Sequence, residues 1–367
     1  MQRQTVGEII HVLEQFAPSA LQENYDNAGL IVGSLEDEVN GVLLCLDSTE
    51  PVIDEAIRHG CNLIIAHHPI IFKGIKKING KNYVERAIIK AIKNNISIYA
   101  AHTNLDNVIS GVNKKIADKI GLKKIEILRP KTGQLNKLIA FCPVTHAENL
   151  RKALFSAGAG TIGNYDSCSF NTEGIGTFRG NNHTNPFVGN KGELHKENEV
   201  RIEIVFPSYM ERTVLNTLIT HHPYEEVAYD IYPLQNNHSG IGSGLRGELD
   251  TSMNEIDFMM HLKRVMNIPV IKHTELTGRP VKNVALCGGS GSFLLKDAIN
   301  YKSDIYISSD FKYHEFFDAD KKILIADIGH FESEQYTSEI FYEVIKEKFP
   351  TFAIRFSEFK TNPVNYL

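Results

Sequence analysis

"CNLIIAHHPIIFKG", residues 61 to 74, sets how the rest of the chain is read. From Cys61 to Ala66 runs a short, mostly apolar segment with no helical period, the pattern of a strand buried on both faces of a parallel sheet. Two histidines follow at once, and Pro69 holds His68 extended and permits a bend beyond it. In open α/β sheets, functional side chains are presented where strands end and loops begin. His67 and His68 are therefore candidate metal ligands, provided that the chain bends, because neighbours in a straight strand face opposite ways.

Outward from this stretch, the first 130 or so residues alternate apolar runs with amphipathic helices. Thr5 and Glu8 form a capping-box pattern before a helix carrying Ile9, Ile10, Leu13 and Phe16, with Pro18 beyond it. "GVLLCLD" (41 to 47) and "ISIYAA" (96 to 101) read as further strands, with helices "EPVIDEAIRHG" and "NYVERAIIKAIKNN" between. The grammar returns near the end, in "VKNVALCGGSGSF", "SDIYISSD" and "KILIADIGH". The middle departs from it with the order β-α-β-β-α-β, the split unit of ferredoxin-like folds. The expected architecture is thus α/β. A largely parallel-sheet domain in two parts (1–131 and 238–367) is interrupted by a ferredoxin-like α+β insert (132–237).

Two other strand ends bring groups that match the histidines. "ISIYAAHTNLDN" places His102 and Asp106 beyond one strand, and "KILIADIGHFESE" places His330 and Glu334 beyond another. His330 and Glu334 are four apart, so on a helix they share a face. Five candidate ligands, His67, His68, Asp106, His330 and Glu334, exceed the three that one catalytic zinc takes and suit two divalent ions bridged by a carboxylate. Zinc is the first expectation, and manganese and iron accept the same donors. His102, or His314 in "SSDFKYHEFFDA", could supply a catalytic proton, and His102 could equally orient a ligand. "YDNAGLIVG" reads first as a turn, with Asp26 or Asn27 able to face the site. "GGSGS" (288 to 292) is a tight turn that lacks the lysine of a phosphate loop. The aromatics of "DFKYHEFFDA" read as core.

A second "HHP", His221 and His222 in "LNTLITHHPYEEVAYD", ends an amphipathic helix. Histidine there complements the helix dipole and proline commonly follows, so this pair is read as structural.

Composition narrows the class. The chain is 42% apolar and 23% charged with a net charge of −5, so it lacks the basic field that duplex nucleic acid requires. No stretch reaches the ~18 apolar residues of a membrane helix, and "MQRQTVGEIIHVLEQF" has no secretory apolar run, so a cytoplasmic protein is expected. Five scattered cysteines without CxxC argue against disulfides or a thiolate metal site, and each is read as a small buried residue.

"YDNAGLIVG", "AHHPIIF", "HTNLDN", "SSDFKYHEFFDA" and "IADIGHFESE", in this order, resemble the hallmark segments of the NGG-interacting-factor-three-like family, also called GTP cyclohydrolase I type 2 homologs. The middle segment resembles the PII/CutA-like insert of its longer bacterial members. The resemblance implies a dinuclear site on His67, His68, Asp106, His330 and Glu334, with Glu334 bridging. It also implies a toroidal homohexamer with the sites facing an internal cavity. The function expected is a metal-dependent hydrolase, with a purine nucleotide the leading substrate and conversion of GTP to dihydroneopterin triphosphate and formate the leading reaction. The alternative is a non-enzymatic metal-binding scaffold or regulator, its insert a sensing or assembly module.

Overall fold

The computed structural model describes residues 4–367. It divides into two compact units. One comprises the chain up to Arg129 together with Gly240–Leu367, and the other is Pro130–Ser239.

Where the sequence pattern predicts one largely parallel sheet, the first unit builds two. One contains β1 (Gly29–Val32), β2 (Val42–Asp47), β3 (Leu63–His68), β4 (Ser97–Ala100) and β15 (Ile354–Phe356), in the order β1-β4-β3-β2-β15. The other contains β5 (Lys123–Pro130), β10 (Gly242–Met253), β11 (Lys272–His273), β12 (Val281–Ser290), β13 (Ile305–Ser309) and β14 (Leu324–Asp327), in the order β11-β14-β13-β12-β10-β5. Parallel pairs are β15 with β2, β2 with β3, β3 with β4, and β12 with β13, β13 with β14. Antiparallel pairing occurs at one edge of the first sheet, β1 on β4, and on both sides of the second, β11 on β14 and β10 on β12. The glycine-rich stretch "SGIGSGLRGEL" (239 to 249) lies largely in strand β10. At Gly247 a Cβ would press on the Lys123 carbonyl oxygen of β5, so this strand tolerates only hydrogen at that close approach.

Continuous apolar runs are explained by burial on both faces. Leu43, Cys45, Ile64, Ala66 and Ile98 pack with helices Glu50–His59 and Tyr83–Lys93. Their strand neighbours Leu44, Leu63, Ile65 and Tyr99 turn to the opposite face, into a core that also takes Leu245, Val284, Leu286, Ile305 and Ile307 from the second sheet. Alternation is therefore present in the backbone but invisible in the residue types. The first helix, Val6–Phe16, begins with the anticipated capping box: Thr5 accepts from the Glu8 amide, and Glu8 accepts from the Thr5 amide.

The second unit consists of β6 (Leu135–Pro143), β7 (Phe170–Phe178), β8 (His195–Pro207) and β9 (Tyr229–Leu234), with helices Val144–Ser156 and Glu211–His221. Its antiparallel sheet runs β7-β8-β6-β9. Val200, Ile202, Ile204 and Phe206 project to the helix side, into a core with Leu150, Leu154, Val214 and Leu218. Cys45, Cys61, Cys142 and Cys287 are buried free thiols, whereas Cys168 is partly exposed, contrary to its reading as a core residue. Among the described residues no helix is long and apolar enough to cross a membrane.

Candidate metal centre

The ends of β3, β4, β12 and β14 converge on one cluster. His67 and His68 close β3 with rings 4.9 Å apart, so adjacent residues do reach one site. Past β4, His102 precedes the short helix Thr103–Asp106, whose last residue is Asp106. After β14 the chain turns through Gly329 at φ +90° into helix His330–Glu334. A Cβ on Gly329 would strike the Glu332 carboxylate, so glycine is required at this turn for both conformation and space.

Glu334 is the shared member. Its Oε1 lies 3.6 Å from His67 Nε2, and its Oε2 lies 3.0 Å from His68 Nε2 and 3.2 Å from His330 Nε2. Asp106 Oδ1 is 3.7 Å from His67 Nε2. Two sets of metal-donor groups result, His67 with Asp106 and Glu334, and His68 with His330 and Glu334; His67, His68 and His102 form a third grouping.

Each imidazole is oriented the same way. Nδ1 of His67 donates to the Ala101 carbonyl at 2.9 Å, that of His68 to Asp47 at 2.8 Å, that of His102 to Asp26 at 2.8 Å, and that of His330 to Asp310 at 2.7 Å. An acceptor at Nδ1 fixes the N–H there and turns Nε2 into the cluster, so Nε2 is the atom by which each of the four rings can bind a cation once it carries no proton. Asp26 is held in turn by the Thr103 amide and hydroxyl. Asp47 and Asp310 were missed in the sequence, although each sits where a buried strand ends, in "GVLLCLD" and "ISSD".

The electrostatics call for positive charge. Burial and the Glu334 charge push Asp106 up to about 7. Glu334 is itself held low: its burial would raise it, but the imidazoles of His67 and His330 prevail. Burial opposes the charging of His68, yet Asp47 and Glu334 push it up to about 9, and Glu334 with Asp310 push His330 up to about 11 in the same way. In the metal-free protein, protons thus occupy positions suited to cations. His67 Nε2 and Asp106 Oδ1 are buried without a hydrogen-bond partner. Such atoms each cost about 1–3 kcal/mol, and a divalent ion satisfies both. The donor set, imidazole nitrogen with carboxylate oxygen, fits zinc, manganese or iron.

Other candidate residues fall elsewhere. His314 is exposed on the 3-10 helix Tyr313–Ala319, its ring against Tyr313 and Phe317, and is not brought to the cluster. Tyr313 and Phe317 are themselves exposed, so of the rings in that segment only Phe311 is fully core. "GGSGS" begins inside β12 and not in a turn, and its first two glycines serve the cluster. The amides of Gly288 and Gly289 are taken by the Asn113 and Ser333 side chains, and a Cβ on Gly289 would collide with Glu334 Oε1. In the second pair, His221 Nδ1 bonds back to the Thr217 carbonyl. Buried His222 donates from Nε2 to the Phe141 carbonyl and accepts the Tyr224 amide at Nδ1, so neither nitrogen is open to a metal.

An α/β protein with a buried imidazole and carboxylate cluster at the ends of its parallel strands, able to hold a divalent metal ion, is the class that fold and site define. The chain belongs to the family described as Duf34/NIF3 (NGG1p interacting factor 3), whose model matches residues 4–363. A "GTP cyclohydrolase 1 type 2 homolog" from Halalkalibacterium halodurans is 40% identical over 93% of this chain and 91% of its own. One of the same name from Bacillus subtilis is 38% identical over 98% of each. A crystal structure of a Bacillus cereus protein related to NIF3 superposes with a TM-score of 0.88 at 38% identity, covering 100% of both chains.

Proposed function

We propose that the protein is a metal-dependent hydrolase acting on a phosphorylated purine. In this reading His67 and Asp106 would hold one divalent ion, His68 and His330 a second, and Glu334 would serve both, with zinc the first candidate. The observation that carries it is the division of the Glu334 carboxylate, one oxygen toward His67 and the other toward His68 and His330. Paired divalent ions polarise a substrate oxygen and lower the pKa of water. His102 supplies the proton chemistry: Asp26 fixes its Nδ1–H, so Nε2 can take a proton and return it to an opening ring or leaving group. His314 has no part in this proposal.

The loop beyond His68 supports the substrate class. From Ile70 to Tyr83 it carries Lys73, Lys76, Lys77 and Lys81, a concentration of positive charge on a chain of net charge −5. Among the described residues none of these lysines is ion-paired. Phe72 lines the same loop and sets its ring 5.6 Å from that of His102, so phosphates and a stacked base could be held beside the cluster. The names of the relatives make GTP the first substrate to test, and the family resemblance makes a homohexamer the first assembly to look for by light scattering.

The deciding experiment is mass spectrometry of products after metal-reconstituted protein meets a nucleotide panel, with His68→Ala as the control. Formate and a triphosphorylated product from GTP, absent in the variant, are expected. A preparation carrying two ions per chain that leaves every nucleotide untouched would refute the reading in favour of a non-catalytic metal scaffold.

A further inference from the structure

The second unit contains a cavity of about 580 Å³ that the metal centre does not use. It lies against the helix-free face of the sheet. Glu199 and Arg201 of β8 turn to that face, opposite the core residues Val200 and Ile202. Cavities of this size that are walled mainly by apolar groups, with few polar ones, are the usual form of a small-molecule site.

Two features give the cavity a chemistry. The first is a floor stripped of side chains: β7 passes Gly174 and Gly176 across from β8, with Gly174 in register with Glu199. A Cβ at Gly174 would meet nothing within 4 Å, so its absence leaves the cavity open, and a Cβ at Gly176 would collide with the Glu199 carboxylate. Glycine inside a strand marks a close approach, here of a carboxylate and of whatever fills the space.

The second feature is Glu199 itself, 8% exposed. Tyr224 donates to its Oε1 at 2.9 Å, and among the described residues no Lys or Arg pairs with it. A buried carboxylate without a cation is unfavourable, and a ligand carrying positive charge offsets that. Around it stand Phe178 and Phe187, their rings 5.9 and 6.3 Å from that of Tyr224. Aromatic faces at this spacing attract cations within ~6 Å. The rim adds Glu173, Glu225 and Glu226 against Arg179 and Arg201, so the lining holds two more acids than bases.

We infer that this cavity binds a small organic cation, an alkylammonium or guanidinium group seated on Glu199 within the Phe178, Phe187 and Tyr224 rings. The inference is independent of the metal centre, which lies in the other unit.

Calorimetry on the full chain tests it with choline and agmatine as cationic probes. The controls are 3,3-dimethylbutanol, the neutral carbon isostere of choline, and guanosine monophosphate as a planar anion. At least one cation is expected to bind at least about tenfold more tightly than both controls. Glu199→Gln should remove about tenfold of that preference. Gly174→Val, which adds a strand-favouring side chain in open space and leaves the fold intact, should abolish binding, and metal content should be unchanged in both variants. Equal binding of the neutral isostere, preference for the nucleotide, no binding of either cation, or full retention in Gly174→Val would each overturn the assignment.

Discussion

The chain spells "HHP" twice, and the two copies differ in everything but the letters. His67 and His68 end a parallel strand whose neighbours also end there, so their Nε2 atoms face Asp106, His330 and Glu334. His221 and His222 end a helix whose nearest acceptors are backbone carbonyls, and those carbonyls take the ring N–H groups. An imidazole becomes a ligand when an acceptor fixes one nitrogen and leaves the other facing open donors. His68 has that arrangement through Asp47, whereas His222 has both nitrogens engaged.

The sharpest way to break this contrast is to exchange the fates of the two pairs. His68→Ala should lose bound metal and any nucleotide turnover by more than about 100-fold, read by elemental analysis and product assay, whereas His222→Ala should keep both. Asp47→Asn and Asp310→Asn, which leave every ligand in place, should each weaken metal binding about 10- to 100-fold in a chelator competition, because Nδ1 is no longer held by a carboxylate. A similar loss in a Glu225→Gln control would sink the claim of specific orientation.

Acidity sharpens the comparison further. His68 and His330 are pushed up to about 9 and about 11, so both are protonated at neutral pH without metal and must release those protons to ligate. Apparent metal affinity should therefore fall as pH is lowered below these values, by up to about 100-fold per unit, with proton release visible as buffer-dependent binding enthalpy. No dependence on buffer would contradict the arrangement of charges around Glu334. The smallest effects belong to the second pair. His222→Ala should lower stability by about 1–3 kcal/mol in denaturant unfolding, because it removes a buried ring together with its hydrogen bond to the half-buried Phe141 carbonyl. Exposed His221→Ala should stay within about 0.5 kcal/mol.

Much of the site was legible because ligation needs particular side chains at particular offsets. A helix makes His330 and Glu334 neighbours whatever surrounds it, and three strand ends carrying imidazole or carboxylate announced a convergence. The orienting acids were not legible: an aspartate at the end of a strand looks the same whether or not a histidine from the next strand meets it. Asp47 reaches His68 only because β2 and β3 pair in the register that sets the two side by side.

The sequence by itself determined the element types and the donor chemistry, since apolar periodicity, capping residues and ligand offsets act over a few residues. Tertiary structure alone decided that there are two sheets of mixed pairing, that Gly289 exists to admit Glu334, and that Gly174 opens a cavity over Glu199. Those outcomes depend on which strands lie side by side, and strand register couples residues far apart in the chain through hydrogen bonds that every backbone can make.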